Sequence, residues 1–488
     1  MRTEAASVWY AGLMLPAKWP GAAVTTLILI AGLWAWTSGL PGPFQFDDHA
    51  TPLGDPASQS LAAWQQYLPV TLRPLTKLSY ALEADAGIGD EPAPRRLVSI
   101  LIQVVTAGLL FLLLARLAPP SATHSATPSA NHFATWAAAF LAALWFVHPV
   151  HADSILLLSG RSALLAMAFL LAALLALERS HSWWAALLFV LACLSRETAL
   201  AGLLPLAVLA ASRPWATPRS MLREVVPVLL GSIIVLCWIL TTPRYLNLAE
   251  FSLLGRPFWA SFASQVGAVP VGLGLLFNPS ALSIDYGIPL PNKLLEPMVL
   301  LGLAMYFAAA MGICLLLRRS RLAAVGLALW LAALLPTQLL IPKLDALTNR
   351  PLSLALAGLM LVAAAALAPA WNRYCAVPAG VNGNRTLNDL LAGSRVAMAC
   401  CAVALIALLA NATAQRARLF QSELSLWQDA ASKSLSNARP HLQYAMLLKQ
   451  QGMDHDAWQA LSVARTIDPF SSRIDALSIA YRNDEEKP

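Results

Sequence analysis

Long apolar segments separated by short polar loops run through most of this chain. Their centres lie near residues 30, 107, 141, 170, 190, 206, 234, 308, 331, 361 and 403. Because about 20 apolar residues in a helix cross the hydrocarbon of a bilayer, each segment is interpreted as one crossing. The pattern predicts an all-α, polytopic membrane domain of about 11 transmembrane helices over residues 1–414.

The apolar pattern alone does not decide whether one further stretch, residues 258–278, crosses the membrane. It lies in a long loop, residues 242–297, that is rich in Pro, Gly and aromatic residues. A full crossing would invert the rest of the chain and place Arg318, Arg319 and Arg321 outside, against the distribution of the other arginines. We therefore predict that this stretch lies in or re-enters the outer leaflet.

Hydrophobic residues fill 58% of the 488 positions and charged residues only 12%, which is more apolar surface than a soluble core uses. The formal charge of +7 would suit a nucleic-acid partner in a soluble protein, but here the arginines gather in loops between apolar segments. They therefore indicate topology, and no nucleic-acid partner is expected. The six cysteines form no CxxC pair, so we expect neither a disulfide framework nor a zinc site.

One set of short loops carries the arginine clusters, and the positive-inside rule assigns these loops to the cytoplasm. The clusters contain Arg116, Arg179, Arg213, Arg219, Arg223, Arg318, Arg319 and Arg321. With a cytoplasmic N-terminus and an uncleaved first span, the outer face carries the first loop, residues 41–95, the long loop and the C-terminal region. Abundant Ala and a preference for Arg over Lys are typical of a bacterium with a G+C-rich genome. The predicted location is therefore the bacterial inner membrane, with a periplasmic outer face.

Residues 415–488 are polar with a helical period and are predicted to form a small periplasmic domain. Small residues and a proline recur there at the spacing of a tetratricopeptide repeat of about 34 residues. Counted from Ala438, they are Ala445, Gly452, Ala457, Ala464 and Pro469. About three repeats are usually needed for independent stability. The domain should therefore lean on the outer face, as a structural cap or as a module that presents a partner to the site.

Two adjacent carboxylates, Asp47 and Asp48, follow the first apolar segment where the chain re-enters water on the outer face. On spacing alone they are solvated carboxylates at a helix end, since Asp is common in loops. In a membrane enzyme that acts on a hydroxyl group, a carboxylate at this place would be the general base. We take Asp47 as the base and Asp48 as its alternate.

Single arginines stand beside apolar helices on the same face, at Arg161, Arg196 and Arg350. Each could be an anchor whose long side chain reaches the interface. Their shared face and their carboxylate or hydroxyl neighbours fit a pocket for a lipid phosphate better, because the planar arginine fork pairs with phosphate oxygens.

Residues 148–154, His-Pro-Val-His-Ala-Asp-Ser, contain two imidazoles and a carboxylate, at His148, His151 and Asp153. A metal site is one interpretation. However, the proline between the histidines makes a bend, and no pair has the i, i+4 spacing of a helical zinc motif. We favour side chains that hydrogen-bond across the site or shape an acceptor pocket.

The ordered series of these motifs resembles the TMTC group of transmembrane and tetratricopeptide-repeat O-mannosyltransferases and their bacterial relatives, within the GT-C class of glycosyltransferases. The series is Phe46-Asp47-Asp48, Arg73-Pro74-Leu75, Leu78-Ser79, His148-Pro149-Val150-His151, Gly160 to Leu165, Ser195 to Thr198, Asp285-Tyr286-Gly287, Asn349-Arg350 and Leu426-Trp427. The resemblance covers nearly the whole chain. It implies transfer of mannose or a similar hexose from a polyprenyl-phosphate carrier to a hydroxyl of a polypeptide or glycan, with protein Ser or Thr as the expected acceptor.

The resemblance also implies roles for individual residues. The acidic residue of the first loop would be the base in an inverting displacement, and Arg161, Arg350, Arg73 and Arg196 would hold the carrier phosphate. Glu197 would orient Arg196. The pocket would be lined by His148, His151, Asp153, Glu197, Asp285 and Tyr286. The resemblance implies no definite cofactor, and it leaves open whether a divalent cation assists the reaction.

The chain departs from the family at several positions. Relatives usually carry His and Asn at the head of the second span, where this chain has Arg95, Arg96 and Ser99, and Lys at the position of Arg196. The acid after the second histidine is commonly Glu, and here it is Asp153.

Two other functions fit parts of the pattern. A transporter or flippase of lipid-linked saccharide would need charged or broken helices on both sides of the midplane, whereas the polar groups here gather on one face. A non-catalytic repeat scaffold for envelope assembly would have no use for arginines that face the outer leaflet.

Overall fold

The computed structural model describes residues 21–117, 128–213, 217–255, 257–287, 291, 293–335, 345, 347–375, 385–434 and 436–485. All regular secondary structure in these ranges is helical, which confirms the predicted all-α class. The predicted cytoplasmic N-terminus, residues 1–20, lies outside the described part of the chain.

The helices before residue 419 form the membrane domain. They are α1 (Gly21–Thr37), α2 (Leu61–Tyr67), α3 (Pro74–Asp85), α4 (Pro92–Leu117), α5 (Pro128–Phe146), α6 (Ala152–Ile155), α7 (Arg161–Glu178), α8 (Ser182–Ser195), α9 (Leu203–Ala211), α10 (Pro218–Thr241), α11 (Pro243–Gly255), α12 (Phe258–Phe277), α13 (Pro297–Leu316), α14 (Arg321–Leu334), α15 (Asn349–Cys375) and α16 (Arg385–Arg418). Several begin with proline, whose missing N–H costs nothing in the first turn. Hydroxyl caps set other starts, as where Ser320 Oγ accepts from Ala323 N (3.3 Å) before α14.

Seven helical segments in the described ranges are long and apolar enough to cross a membrane, as in a polytopic membrane protein. They are Pro92–Leu117, Leu158–Glu178, Pro218–Thr241, Phe258–Phe277, Pro297–Leu316, Asn349–Ala368 and Cys400–Gln421. The pair Thr135–Phe146 and Pro149–Ile155, bent by 49°, would add an eighth. A helix lies at each predicted centre, but those near 30, 190, 206 and 331 belong to shorter helices. The prediction of about 11 crossings is therefore not confirmed.

Helices α14 and α15 approach each other closely because glycines face each other. A Cβ atom built on Gly326 would lie 2.6 Å from Gly358 O, and one on Gly358 would lie 2.5 Å from Gly326 O. Any larger residue at either position would force the two helices apart. This contact holds α15, whose first turn carries Arg350, against α14.

The arginine-rich loops predicted to share the cytoplasmic face lie together at one end of the bundle. Arg213 pairs with Glu224 (3.0 Å), Arg321 pairs with Glu178 (2.5 Å), and Arg318 Nη1 donates to Arg213 O (2.8 Å). The candidate site residues gather at the other end, which is called the site face and carries residues 45–48, 156–161, 195–198 and 347–350. These contacts bring together the loops that carry Arg213, Arg318 and Arg321, and the assignment of faces to compartments stays a prediction.

Helix α12 covers the stretch that was predicted to lie in the outer leaflet. Residues in both halves of α12 hydrogen-bond to residues at the site face. Ser264 Oγ donates to Pro291 O (2.8 Å), just before the site-face end of α13, and His148 Nε2 donates to Leu276 O (3.0 Å). A crossing helix would carry its ends to opposite faces. These contacts favour the predicted location, although α12 is long enough to cross.

The C-terminal region forms four helices, α17 (Glu423–Lys433), α18 (Ala438–Gln450), α19 (Asp454–Ile467) and α20 (Ser472–Glu485). The predicted small residues Ala445, Ala457 and Ala464 are fully buried in a separate apolar cluster. Gly452 has a φ of +75°, which suits glycine in the turn between α18 and α19. The helix pair has the packing expected of a repeat, and its assignment as a tetratricopeptide repeat stays a prediction.

Candidate active site

The two adjacent carboxylates of the first loop have opposite environments. Residues Phe46–Asp48 form a single 3-10 turn, with Phe46 held at a φ of +48°. A left-handed conformation is strained for a bulky residue, so the surrounding contacts must hold it. The Asp47 side chain is 46% exposed, whereas Asp48 is completely buried.

Asp48 ties the first loop to the turn before α7. Its Oδ1 accepts from Ser159 N (2.9 Å) and its Oδ2 from Gln45 N (3.4 Å). Burial raises the pKa of Asp48 to about 6, although these bonds and the charges of Arg96 and Arg350 act in the other direction. Because both oxygens are engaged with backbone, Asp48 suits a structural role better than that of an alternate base.

Arg96 fixes the backbone that leads into this turn. Its buried guanidinium donates to five carbonyl oxygens: Leu156 (3.0 Å), Gly39, Leu40 and Gly42 (each 3.2 Å) and Pro43 (2.6 Å). A guanidinium can saturate several carbonyls because its donors form a rigid fork. In the sequence, Arg96 was notable only because it lies where members of the TMTC group usually carry His and Asn.

Arg350 pairs with the exposed carboxylate. Its Nη2 lies 3.6 Å from Asp47 Oδ2 and donates to Ser159 Oγ (3.0 Å). Ser159 therefore contacts Asp48 through its backbone and Arg350 through its side chain. The structure thus brings Asp47, Asp48 and Arg350 together, and their predicted roles stay predictions.

A groove runs from this cluster between α7, α12, α14 and α15, with about 980 Å³ of empty space including its open mouth. Its walls are mostly apolar, with Ala166, Met167 and Leu170 on one side and Leu334 and Leu347 on the other. Two cations, Arg196 and Arg350, two hydroxyls, Thr198 and Thr348, and the amide of Gln265 supply its polar lining. Such a groove fits a ligand that is anionic at one end and apolar along its length.

Arg196 carries buried charge that is poorly compensated. Its Nε donates to Thr198 Oγ1 and its Nη1 to Ser162 Oγ, each at 3.2 Å. Burial, together with the positive charges of Arg73 and Arg350, lowers the pKa of Arg196 to about 9 despite the attraction of Glu197. A phosphate in the groove would supply the missing negative charge.

Arg73 and Glu197 form a two-bond ion pair. Arg73 Nε donates to Glu197 Oε2 (2.9 Å) and Nη2 to Glu197 Oε1 (2.6 Å). The backbone of Arg73 has a φ of +55°, and its N–H donates to the hydroxyl of Tyr245 (3.3 Å). Glu197 thus clamps Arg73, whereas the sequence had suggested that it orients Arg196.

Arg161 is fully buried away from the groove lining. Its Nη1 donates to Glu83 Oε1 (2.5 Å), and its other bonds go to Ser99 Oγ (3.2 Å), Ser79 Oγ (3.4 Å) and Arg95 O (2.7 Å). The guanidinium also lies 4.8 Å from the ring centre of Tyr80. These contacts favour a structural role. The predicted phosphate contact of Arg161 stays untested.

The predicted pocket-lining histidines are buried below the site. His148 Nδ1 accepts from Val150 N (3.1 Å), and His151 Nε2 lies 2.7 Å from Trp145 O. Asp153 accepts from Asn349 Nδ2 (2.7 Å) and lies 3.7 Å from Arg416 Nη2. These residues support the backbone beneath Arg350 rather than line the groove.

Asp285 and Tyr286 connect the site to the C-terminal region. Asp285 accepts from Arg439 Nε (2.6 Å) and Asn437 Nδ2 (3.0 Å), and Tyr286 donates to Asn349 Oδ1 (2.5 Å). Both were predicted to line the pocket, and the groove is lined by other residues.

One groove residue, Gln265, was missed in the sequence. It lines the groove from α12 and has no hydrogen-bond partner among the described residues. Its signal was a single amide side chain in the mostly apolar helix Phe258–Phe277. Within the described ranges, no group of three or more His, Cys, Asp or Glu side chains is arranged to hold a metal ion.

Comparison of the chain with protein-family models, curated proteins and solved structures found no match.

Proposed function

We propose that this protein is a membrane glycosyltransferase that moves a hexose from a polyprenyl-phosphate carrier to a hydroxyl acceptor on the periplasmic face. The observation that carries the proposal is the pairing of a half-exposed carboxylate, Asp47, with Arg350 at an apolar groove that also contains Arg196. The resemblance of the motif series to the TMTC group supports it. In this proposal the shorter apolar helices complete about 11 crossings, and α17–α20 form a repeat-like domain.

The chemistry is a single displacement. An acceptor hydroxyl oxygen attacks the anomeric carbon, Asp47 takes the hydroxyl proton, and the bond from that carbon to the phosphate oxygen breaks with its electron pair on the phosphate. Arg350 and Arg196 meet the charge on the departing phosphate. The apolar walls hold the first units of the polyprenyl chain, and attack opposite the leaving group inverts the anomeric centre.

The test is transfer of radiolabelled hexose from a polyprenyl-phosphate donor to periplasmic proteins by the purified protein. Asp47→Asn should lower transfer by about 10²–10⁴-fold, which is the usual contribution of a general base. Donor binding should be nearly unchanged. The matched control is Asp90→Asn, because Asp90 is an exposed carboxylate of the same loop.

Three outcomes would contradict the proposal. Equal transfer by Asp47→Asn and wild type would remove Asp47 from the chemistry. Donor that binds to the wild type and crosses vesicle membranes without transfer would identify a flippase, and failure to bind any donor would favour a scaffold.

A further inference from the structure

The turn that presents Asp47 is held by helix α17 of the C-terminal region. Glu423 Oε1 accepts from Phe46 N (3.3 Å), and the ring of Trp427 meets the ring of Phe46 edge to face at 5.3 Å. Glu423 and Trp427 lie one helical turn apart on α17, so they act from the same face. Together they hold Phe46 in its strained left-handed conformation.

The backbone just before this turn is held by the residues that lead into α17. Gln45 Nε2 donates to Phe420 O (2.7 Å), and Gln421 Nε2 donates to Ser38 O (2.7 Å). Gly42 packs so closely that a Cβ atom there would lie 2.5 Å from Phe420 O. Its φ of +141° also favours glycine.

The other half of the pair, Arg350, is reached from the same region through the loop 282–287. Lys433 Nζ donates to Leu282 O (2.9 Å), and Arg439 binds Asp285 (2.6 Å). Tyr286 in this loop donates to Asn349 (2.5 Å), the residue next to Arg350. Contacts from one C-terminal segment therefore reach both Asp47 and Arg350.

We propose that α17 and the residues up to Arg439 are a positioning element of the reaction, in which Glu423 and Trp427 hold Asp47 in register with Arg350. This inference rests on the proposed glycosyltransferase function. It assigns the C-terminal region a part in the chemical step, besides any part in presenting an acceptor. Small displacements matter because reacting groups must be aligned in the transition state.

The experiment compares Glu423→Ala, Glu423→Gln and the control Gln428→Ala in the full-length protein. Gln428 is exposed on the same helix, and the side-chain amide oxygen of the Glu423→Gln variant could still accept from Phe46 N. The first measurement is the hydrogen-exchange rate of the peptide that contains Phe46. The second is the kinetics of transfer, from which kcat and the donor affinity are determined separately.

We expect Glu423→Ala to speed exchange of the Phe46 peptide and to lower kcat by about tenfold, with donor affinity nearly unchanged. Glu423→Gln and Gln428→Ala should resemble the wild type in both measurements. Unchanged exchange in Glu423→Ala would overturn the inference, and so would faster exchange with an unchanged kcat. A wild-type protein without transferase activity would count against the proposed function, and the exchange result would still decide whether α17 holds the turn.

Discussion

Arg161 and Arg196 are both buried arginines at the site face, yet their charges are satisfied in different ways. Arg161 makes a close ion pair with Glu83, and its other hydrogen bonds go to uncharged oxygen atoms. Arg196 donates to two hydroxyls and lines the groove. The first arrangement suits a role in the fold, and the second suits an anionic ligand. Asp48 and Asp47 show the same contrast, between a carboxylate engaged with backbone and one that faces solvent.

The strongest test of this contrast is the stability of two matched variants. Arg161→Met should destabilise the protein by about 3 kcal/mol, because it removes the closer arginine partner of the buried Glu83 and leaves only Arg95, at 3.8 Å. Arg196→Met should leave stability nearly unchanged and weaken donor binding. Thermal unfolding in detergent and donor titration measure the two effects. A stable Arg161→Met variant that has lost donor affinity would reverse the assignment.

The pH dependence of stability tests Asp48. Because burial raises its pKa from 3.8 to about 6, the folded state binds this proton more tightly than the unfolded state does. The contribution of Asp48 to stability should therefore fall as the pH rises from about 4 to about 6 and stay low above that, a change of about 3 kcal/mol.

Asp48→Asn removes this titration but also loses one of the two acceptors for backbone N–H groups. The stability of the variant relative to the wild type should therefore rise by about 3 kcal/mol between about pH 4 and neutral pH, whatever the constant cost of the lost bond. Denaturant unfolding at several pH values, with Asp90→Asn as control, measures the difference. A stability difference between Asp48→Asn and the wild type that falls as the pH rises would mean that the carboxylate charge stabilises the site.

The smallest expected effect belongs to Gln265. Its amide lacks a protein partner in the described ranges and lines the groove, so a polar group of the donor should bind it. Gln265→Leu should weaken donor binding by about 0.5–1.5 kcal/mol, the net value of one hydrogen bond, without loss of stability. Donor titration decides the matter, and tighter binding by the leucine variant would show that the groove contacts only apolar groups there.

The sequence predicted the helical class, and it singled out Asp47, Asp48 and Arg350, which the structure places close together. These depend on apolar periodicity and on loop charge, which are local properties. It could not separate Arg161 from Arg196, because both are single arginines beside apolar helices. Their difference depends on Glu83, which is 78 residues from Arg161. For the same reason the sequence paired Glu197 with Arg196, its neighbour in the chain. Nothing local indicated its actual partner, Arg73, which is 124 residues away.

The contact between Gln45 and Phe420 joins residues 375 positions apart. During synthesis the first loop is therefore made long before its partner residues. Asp47 can take its final position only after α17 has been made and has packed against the first loop. The pairing of the two chain ends thus makes completion of the site a late step of biogenesis, and an unfinished chain would be inserted without a finished site.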